Sequence, residues 1–177
     1  MHQTFKGLVT KYYIMKTQKL LRLVSEMLKN SKKSDRELAG ILGVSQPTVS
    51  RTRARIEKEY IKTYTIIPDF EKLGYQIMAF TFAKTKSQPD VAAEISKKSK
   101  DWLAKRPNVI FGAGGEGLGK DLVLLSFHKN YSAYAEFMRS FAMDWGNCLD
   151  DFESFLVSIG AGYKLRDFDL KYLADDI

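Results

Sequence analysis

The segment from Ser34 to Arg51, SDRELAGILGVSQPTVSR, constrains the fold more than any other part of this chain. Its spacing predicts two short helices that cross around a tight turn, the first with Leu38, Ile41 and Leu42 facing inward and the second anchored by Val49. Such a crossing needs a small residue where the helices touch and a residue tolerant of positive φ at the turn. It also needs an apolar anchor beneath the second helix. Ala39, Gly43 and Val49 fill those three places. Ser34 or Asp35 can cap the first helix and Ser45 the second, and Pro47 is tolerated in the first turn because its missing N–H would have had no intrahelical partner.

A further helix precedes this unit, since Leu20, Leu21, Val24, Met27 and Leu28 recur at three-to-four spacing from Thr17 onward. The helix after Ser45 extends to about Tyr60 and has two faces. Val49, Ile56 and Tyr60 point toward the core, and Thr48, Arg51, Arg55 and Lys58 line the opposite side. Ser45, Gln46, Pro47, Thr48, Ser50 and Arg51 at its start are the side chains such a helix would present to base edges of double-stranded DNA. Arg suits guanine, Gln suits adenine, and Pro47 or the Thr48 methyl suits a thymine methyl. Arg53, Arg55 and Lys58 lie further along and read as phosphate contacts, which position without reading sequence. The plainer alternative is an amphipathic helix with a solvated charged face.

Charge supports the first reading through its distribution. Residues 1–70 carry 14 Lys and Arg against 6 Asp and Glu, whereas the remainder carries 14 against 15. The excess positive charge therefore sits on one module, as expected when that module meets a polyanion.

The chain reads as α+β, with an N-terminal (winged) helix-turn-helix domain and a C-terminal ferredoxin-like βαββαβ domain. Residues 1–16 form an arm, 17–67 the helix-turn-helix domain, 68–74 a connector and 75–177 the second domain. Ile61 to Ile67, rich in β-branched and aromatic residues, predicts a strand leaving the head. Strands are expected at Tyr75–Lys84, Val109–Phe111, Leu122–His128 and Ser154–Ile159, and helices at Pro89–Lys105 and from Ser132 to about Trp145. The strand at Tyr75 is apolar on both sides, with Ile77 and Ala79 on one and Met78, Phe80 and Phe82 on the other. Two helices cover only one sheet face, so a second subunit's sheet, or this chain's own arm or tail, must cover the other.

Between the second and third of these strands lies a glycine-rich loop, Gly112 to Asp121. From Gly114 to Lys120 it has P-loop spacing, but Asp121 and a strand follow where Ser or Thr and a helix are needed, so nucleotide binding is set aside. One cysteine, Cys148, and two histidines, His2 and His128, provide neither an internal disulfide nor a zinc set, and no cofactor or metal is expected. With no apolar run of membrane-spanning length and no secretory signal pattern, a cytoplasmic protein is expected.

The segments Glu37-Leu38-Ala39, Leu42 to Arg51, Ile61 to Thr65 and Leu73-Gly74-Tyr75 together resemble the DNA-reading unit, exit strand and connector of the Lrp/AsnC (feast/famine) transcription regulators. The likeness runs over roughly residues 17–159. It departs at Glu59-Tyr60-Ile61, where the family usually ends the recognition helix on glycine, and at Thr52, which reduces a basic pair in mid-helix. The resemblance implies a sequence-specific DNA-binding regulator that forms a homodimer or higher homo-oligomer. It also implies a small effector, often an amino acid, near the hairpin that carries Gly112, Gly114, Gly119 and Asp121. Two other readings stand beside it: an enzyme on the same architecture, such as a tetrapyrrole decarboxylase, and an effector-binding subunit without DNA binding. No nucleophile and base lie at local spacing, and His128, ending a strand, reads as a surface residue rather than an acid or base.

Overall fold

The computed structural model describes residues 18–160 and 165–177, so the expected arm over 1–16 lies outside the described residues. Contacts divide the chain into two compact units. One comprises residues up to Ile67 together with Asp167–Ile177, and the other runs from Pro68 to Arg166.

The head unit is built from three helices, α1 (residues 18–29), α2 (Asp35–Leu42) and α3 (Gln46–Glu59). Their shared core is Leu20, Leu23 and Met27 from α1, Leu38 and Ala39 from α2, and Val49 and Ile56 from α3. Leu23, Leu38, Val49 and Ile56 are essentially without solvent contact, and burying side chains of that size stabilises by roughly 1.5–3 kcal/mol each before entropy is counted. Ile41, expected inside, is 47% exposed, and Tyr60 is 58% exposed. The helix crossing uses Leu38 and Ala39 as its inner edge, which turns Ile41 outward; Tyr60 falls one residue beyond α3, where the helical register no longer fixes its direction.

The α2 start is a capping box: Ser34 Oγ accepts from the Glu37 backbone N–H, and the Glu37 carboxylate accepts from the Ser34 N–H at 2.7 Å. Gly43 ends α2 at φ 64°, the left-handed conformation that the tight turn demands. At the end of α3, Tyr60 has φ −127°, so the chain leaves without a left-handed residue.

No strand forms over 61–67, contrary to expectation. β-Branched residues favour a strand only when a neighbour supplies ladder bonds and packing, and none of the described strands pairs with this segment. Ile66 stays 77% exposed, and Tyr64 is drawn back to α3, its hydroxyl donating to Glu57 at 2.8 Å. A 3₁₀ helix, Leu170–Asp175, was not legible in the sequence. It docks on α1, where Ser25 Oγ donates to the Ala174 carbonyl at 2.6 Å and Lys29 pairs with Asp175 at 3.3 Å. The second domain read from the sequence as running to Ile177 thus gives its last residues to the head unit.

The second unit has the order β1 (Ile77–Thr85), α4 (Pro89–Ala104), β2 (Val109–Gly117), β3 (Lys120–His128), α5 (Tyr131–Trp145), β4 (Leu149–Ser158). The strands form one antiparallel sheet, β2-β3-β1-β4, the ferredoxin-like arrangement. Ala79, Thr81 and Ala83 face the helices along with Ser126, Leu124 and Leu122 opposite them. On that side Val91 of α4 packs with Phe141 and Trp145 of α5, Cys148 and Leu149.

The glycine-rich segment is a hairpin rather than a loop. β2 continues to Gly117 because glycine keeps both its ladder groups, and β3 stands ready to pair with it. The reversal uses positive φ at Leu118 (54°) and Gly119 (71°), the pattern of a two-residue hairpin turn. β4 begins at Leu149, five residues ahead of the expected strand at Ser154, because β1 pairs along its whole length.

Ser34→Ala removes the side-chain half of the capping box. Urea denaturation of the variant should show about 1 kcal/mol less stability, with an unchanged m-value.

Candidate nucleic-acid interface

α3 presents the residues singled out in the sequence, and the head core fixes which way they turn. With Val49 and Ile56 locked inward, Ser45, Gln46, Pro47, Ser50, Arg51 and Lys58 are exposed, while Thr48, Arg53 and Arg55 are half-buried. Ser45 Oγ makes no cap bond to the backbone; it meets Thr48 Oγ1 at 2.8 Å. The first turn carries no acidic residue, so the positive end of the helix is unopposed from within.

The arginines differ sharply. Arg51 Nε donates to the Pro47 carbonyl at 3.2 Å, and among the described residues it has no ion pair. Arg55 Nε pairs with Glu59 at 3.0 Å along the helix, which raises the guanidinium's already high pKa. Arg53 turns back into the head: its Nη2 donates to the Lys33 carbonyl at 2.7 Å, and its Nε lies 3.1 Å from Asp35 Oδ1. It thereby ties α3 to the start of α2. Lys19 and Arg22 of α1, absent from the sequence reading, flank the same groove as Arg51 and Arg55 over a floor that includes Leu23 and Val49. Their i, i+3 spacing on the polar side of α1 was the available signal.

The four residues read as an effector site do not converge. Gly112 and Gly114 lie on the helix-facing side of β2, opposite Leu124 and Leu122, whereas Gly119 sits in the hairpin turn. Asp121 accepts from Lys84 Nζ at 2.9 Å, from the Thr85 backbone N–H at 2.9 Å and from Thr85 Oγ1 at 2.8 Å. Burial pushes its carboxyl pKa up, but those donors hold it below the ordinary value. Asp121 thus satisfies the backbone of β1 where the β1–β3 ladder ends at Ala83 and Leu122.

His128, read as a surface residue, is instead buried between Tyr134 and Phe137, with Nε2 2.8 Å from Ser126 Oγ. It lies on the helix-facing side of the sheet because it pairs with Ile77, two ladder steps from Ala79. Burial pushes its pKa down and keeps the ring neutral. Although serine and histidine are in contact, Ser126 has no exposed surface for a substrate to reach. Among the described residues there is no cluster of three or more metal-ligating side chains, and no helix is long and apolar enough to cross a membrane.

No family model matches the chain. Helix-turn-helix-type transcriptional regulators of Pyrococcus abyssi and Pyrococcus horikoshii are each 36% identical to it over 80 residues, 45% of this chain and 53% of either protein. The chain spans about half the length of the curated relatives it matches. The Pyrococcus horikoshii regulator's crystal structure superimposes with a TM-score of 0.66 at 25% identity, covering 85% of this chain and 95% of that one. LrpC of Bacillus subtilis follows at 0.66 and 20% identity, over 84% and 96% of the two chains. This chain has the fold of the Lrp/AsnC regulators. A Neisseria meningitidis transcriptional regulator solved with L-Met shares that fold, at a TM-score of 0.71 and 16% identity over 85% of this chain and 92% of its own.

Arg53→Ala should lower the melting temperature of the chain, because it removes the bond to Lys33 and leaves Asp35 without its cation. Arg51→Ala, which loses only an exposed contact within its own helix, should leave the melting temperature within about a degree of the parent. Differential scanning calorimetry of the two variants separates the roles.

Proposed function

We propose that this chain is a sequence-specific DNA-binding regulator of transcription, acting in the cytoplasm as a homodimer or higher homo-oligomer and responding to a small effector. One observation carries the reading: α3 is seated by its apolar side in a three-helix head and holds Gln46, Ser50 and Arg51 exposed on the other. Arg51 is the guanidinium free to make a bidentate guanine contact. Lys58, Arg55, Lys19 and Arg22 are the phosphate contacts; Arg53 is a brace rather than a contact. The likeness to helix-turn-helix-type transcriptional regulators of Pyrococcus supports the reading as a regulator. The seclusion of Ser126 and His128 and the spent carboxylate of Asp121 support a non-enzymatic role.

Sites selected from random duplex DNA should converge on two half-sites about one helical turn apart, or a multiple of it. On the best of them, Arg51→Ala should weaken binding by roughly 1–3 kcal/mol and relax preference at one base pair. Unchanged binding isotherms for Arg51→Ala on both selected and scrambled DNA would remove the reading.

Oligomerisation is assigned to the sheet face without helices. Met78, Phe80 and Phe82 lie there beside Val123 and Leu125, with Phe111 53% exposed and Phe155 68% exposed. The connector covers one end, where Phe70 stacks on Phe127 with ring centroids 4.2 Å apart; Leu125 is buried, Met78, Phe80, Phe82 and Val123 keep part of their surface, and Phe111 and Phe155 are exposed. A second copy of the sheet is the self-complementary cover. Phe80→Asp with Phe82→Asp should therefore yield monomer or insoluble protein, and a light-scattering mass equal to the parent's would contradict the assignment. The effector is of amino-acid size, as L-Met is in the Neisseria regulator's structure, and its place of contact is the Gly112–Asp121 hairpin through the backbone of the exposed turn at Gly119, not through Asp121, whose carboxylate Lys84 and Thr85 already hold.

A further inference from the structure

A half-open pocket of about 230 Å³ lies in the ferredoxin-like unit between the sheet, α4 and α5, reaching solvent where Gly112 and Gly114 are exposed. Its origin is in the sequence of the sheet. Where β1 and β2 face the helices they offer small residues, Thr81, Ala83, Gly112 and Gly114; Leu124 of β3 takes up the space beside Gly112, and the volume a larger side chain would fill is left over beside Gly114. α4 cannot sink to close it. One end of the helix is held by buried Val91, and the other by Trp102, whose ring meets Trp145 at 5.8 Å and Phe141 at 5.7 Å. Trp102 Nε1 also donates to Asp144 at 2.8 Å, fixing that end of α4 to α5. Between these anchors Ile95 and Ser99 stand over the gap.

The chemistry of the walls is uniform. All fifteen lining residues are uncharged, and all but Thr81 and Ser99 have side chains without a hydroxyl, carboxyl or amide. Thr81 Oγ1 is already bonded to Ser154 Oγ at 2.8 Å, so it makes no demand on a guest. A free amino acid would bring two charges against walls that offer neither a counter-charge nor a ready donor set, which disfavours it relative to an uncharged molecule of the same size. An aromatic or aliphatic molecule without charge loses nothing there. Apolar cavities of roughly 150 Å³ in other proteins take up benzene, and this pocket, though half open, has the volume for a molecule of that size.

We infer that the space between α4 and the sheet is a ligand site for a small, uncharged, largely apolar molecule of about one aromatic ring. It lies within a single chain and does not depend on the head binding DNA. Two of the four glycine and aspartate residues read as effector contacts, Gly112 and Gly114, border it, and the other two do not.

The chain has only two tryptophans, Trp102 and Trp145, and both line the pocket, so tryptophan emission, excited selectively over the nine tyrosines, reports on this place. Iodobenzene, a heavy-atom quencher of the right size, is titrated into the full chain. Gly114→Val and Ser99→Leu are the blocking variants. A Cβ at Gly114 meets nothing nearer than the Asp121 carbonyl oxygen at 3.8 Å, so valine fits the backbone and fills the space; Ser99→Leu fills it from the helix side. The expected result is saturable quenching in the parent, weakened at least tenfold in either folded variant, with a raised melting temperature in the variants where the void is filled. L-Phenylalanine, with the same ring and two charges, should not protect against the quenching. Two outcomes would overturn the inference: quenching that is linear and no steeper than that of free N-acetyltryptophanamide, or saturable quenching of undiminished affinity in both variants. Should Gly114→Val not fold, Ser99→Leu decides alone, since it changes only a side chain on a helix already formed. A loss of DNA binding in other experiments would leave this result untouched, because the readout is the ligand itself.

Discussion

β1 pairs along its length with β3 on one side and β4 on the other, and both pairings are antiparallel. That constraint sorts every residue of the second unit. Because side chains alternate across a strand, the ladder puts Ala79, Thr81 and Ala83 under the helices and Met78, Phe80 and Phe82 on the opposite face. The two helices exhaust their apolar surface on one side. What is left is a second apolar face that, among the described residues, is covered only in part, and beneath α4 a floor that includes small residues.

The same ladder explains why polar residues occur deep in this unit. Thr81 and Ser154 are opposite one another and bond to each other, and Ser126 and His128 do likewise along one strand. Each pair satisfies groups that burial would otherwise leave unpaired, which is why neither needs a substrate or a metal to account for it. Asp121 works on the same principle at the strand end, taking up the Thr85 N–H beyond the last β1–β3 pair. Its three donors make it a structural acceptor, and this separates it from the glycines around it.

In the head the decisive contact is between α3 and the other two helices. Val49 and Ile56 are seven residues apart, two helical turns, and burying both leaves α3 no freedom to rotate about its axis. The identity of the exposed face is thereby settled by packing. Arg53 falls at the edge of that face and is captured by Lys33 and Asp35, whereas Arg51, half a turn earlier, is not.

Read alone, the sequence determined what local chemistry controls. The helices around Ala39, Gly43 and Val49, the Ser34 cap of α2 and the polar side of α3 were legible, because helix periodicity, capping and the left-handed turn act over a few residues, whereas the side-chain cap expected from Ser45 does not form. The order βαββαβ was legible for the same reason. Only the tertiary structure decided the rest. The stretch 61–67 has strand composition and no strand, because pairing requires a partner that composition does not supply. Gly112 to Gly117 reads as loop and forms strand, because β3 does supply one. His128 went from surface to core, Arg53 from phosphate contact to brace, and residues 170–175 from the second unit to the head. Each of these depends on groups distant in the chain, whose meeting is fixed by close packing and by the need to pair buried polar atoms, and neither condition can be evaluated until the whole chain is in place.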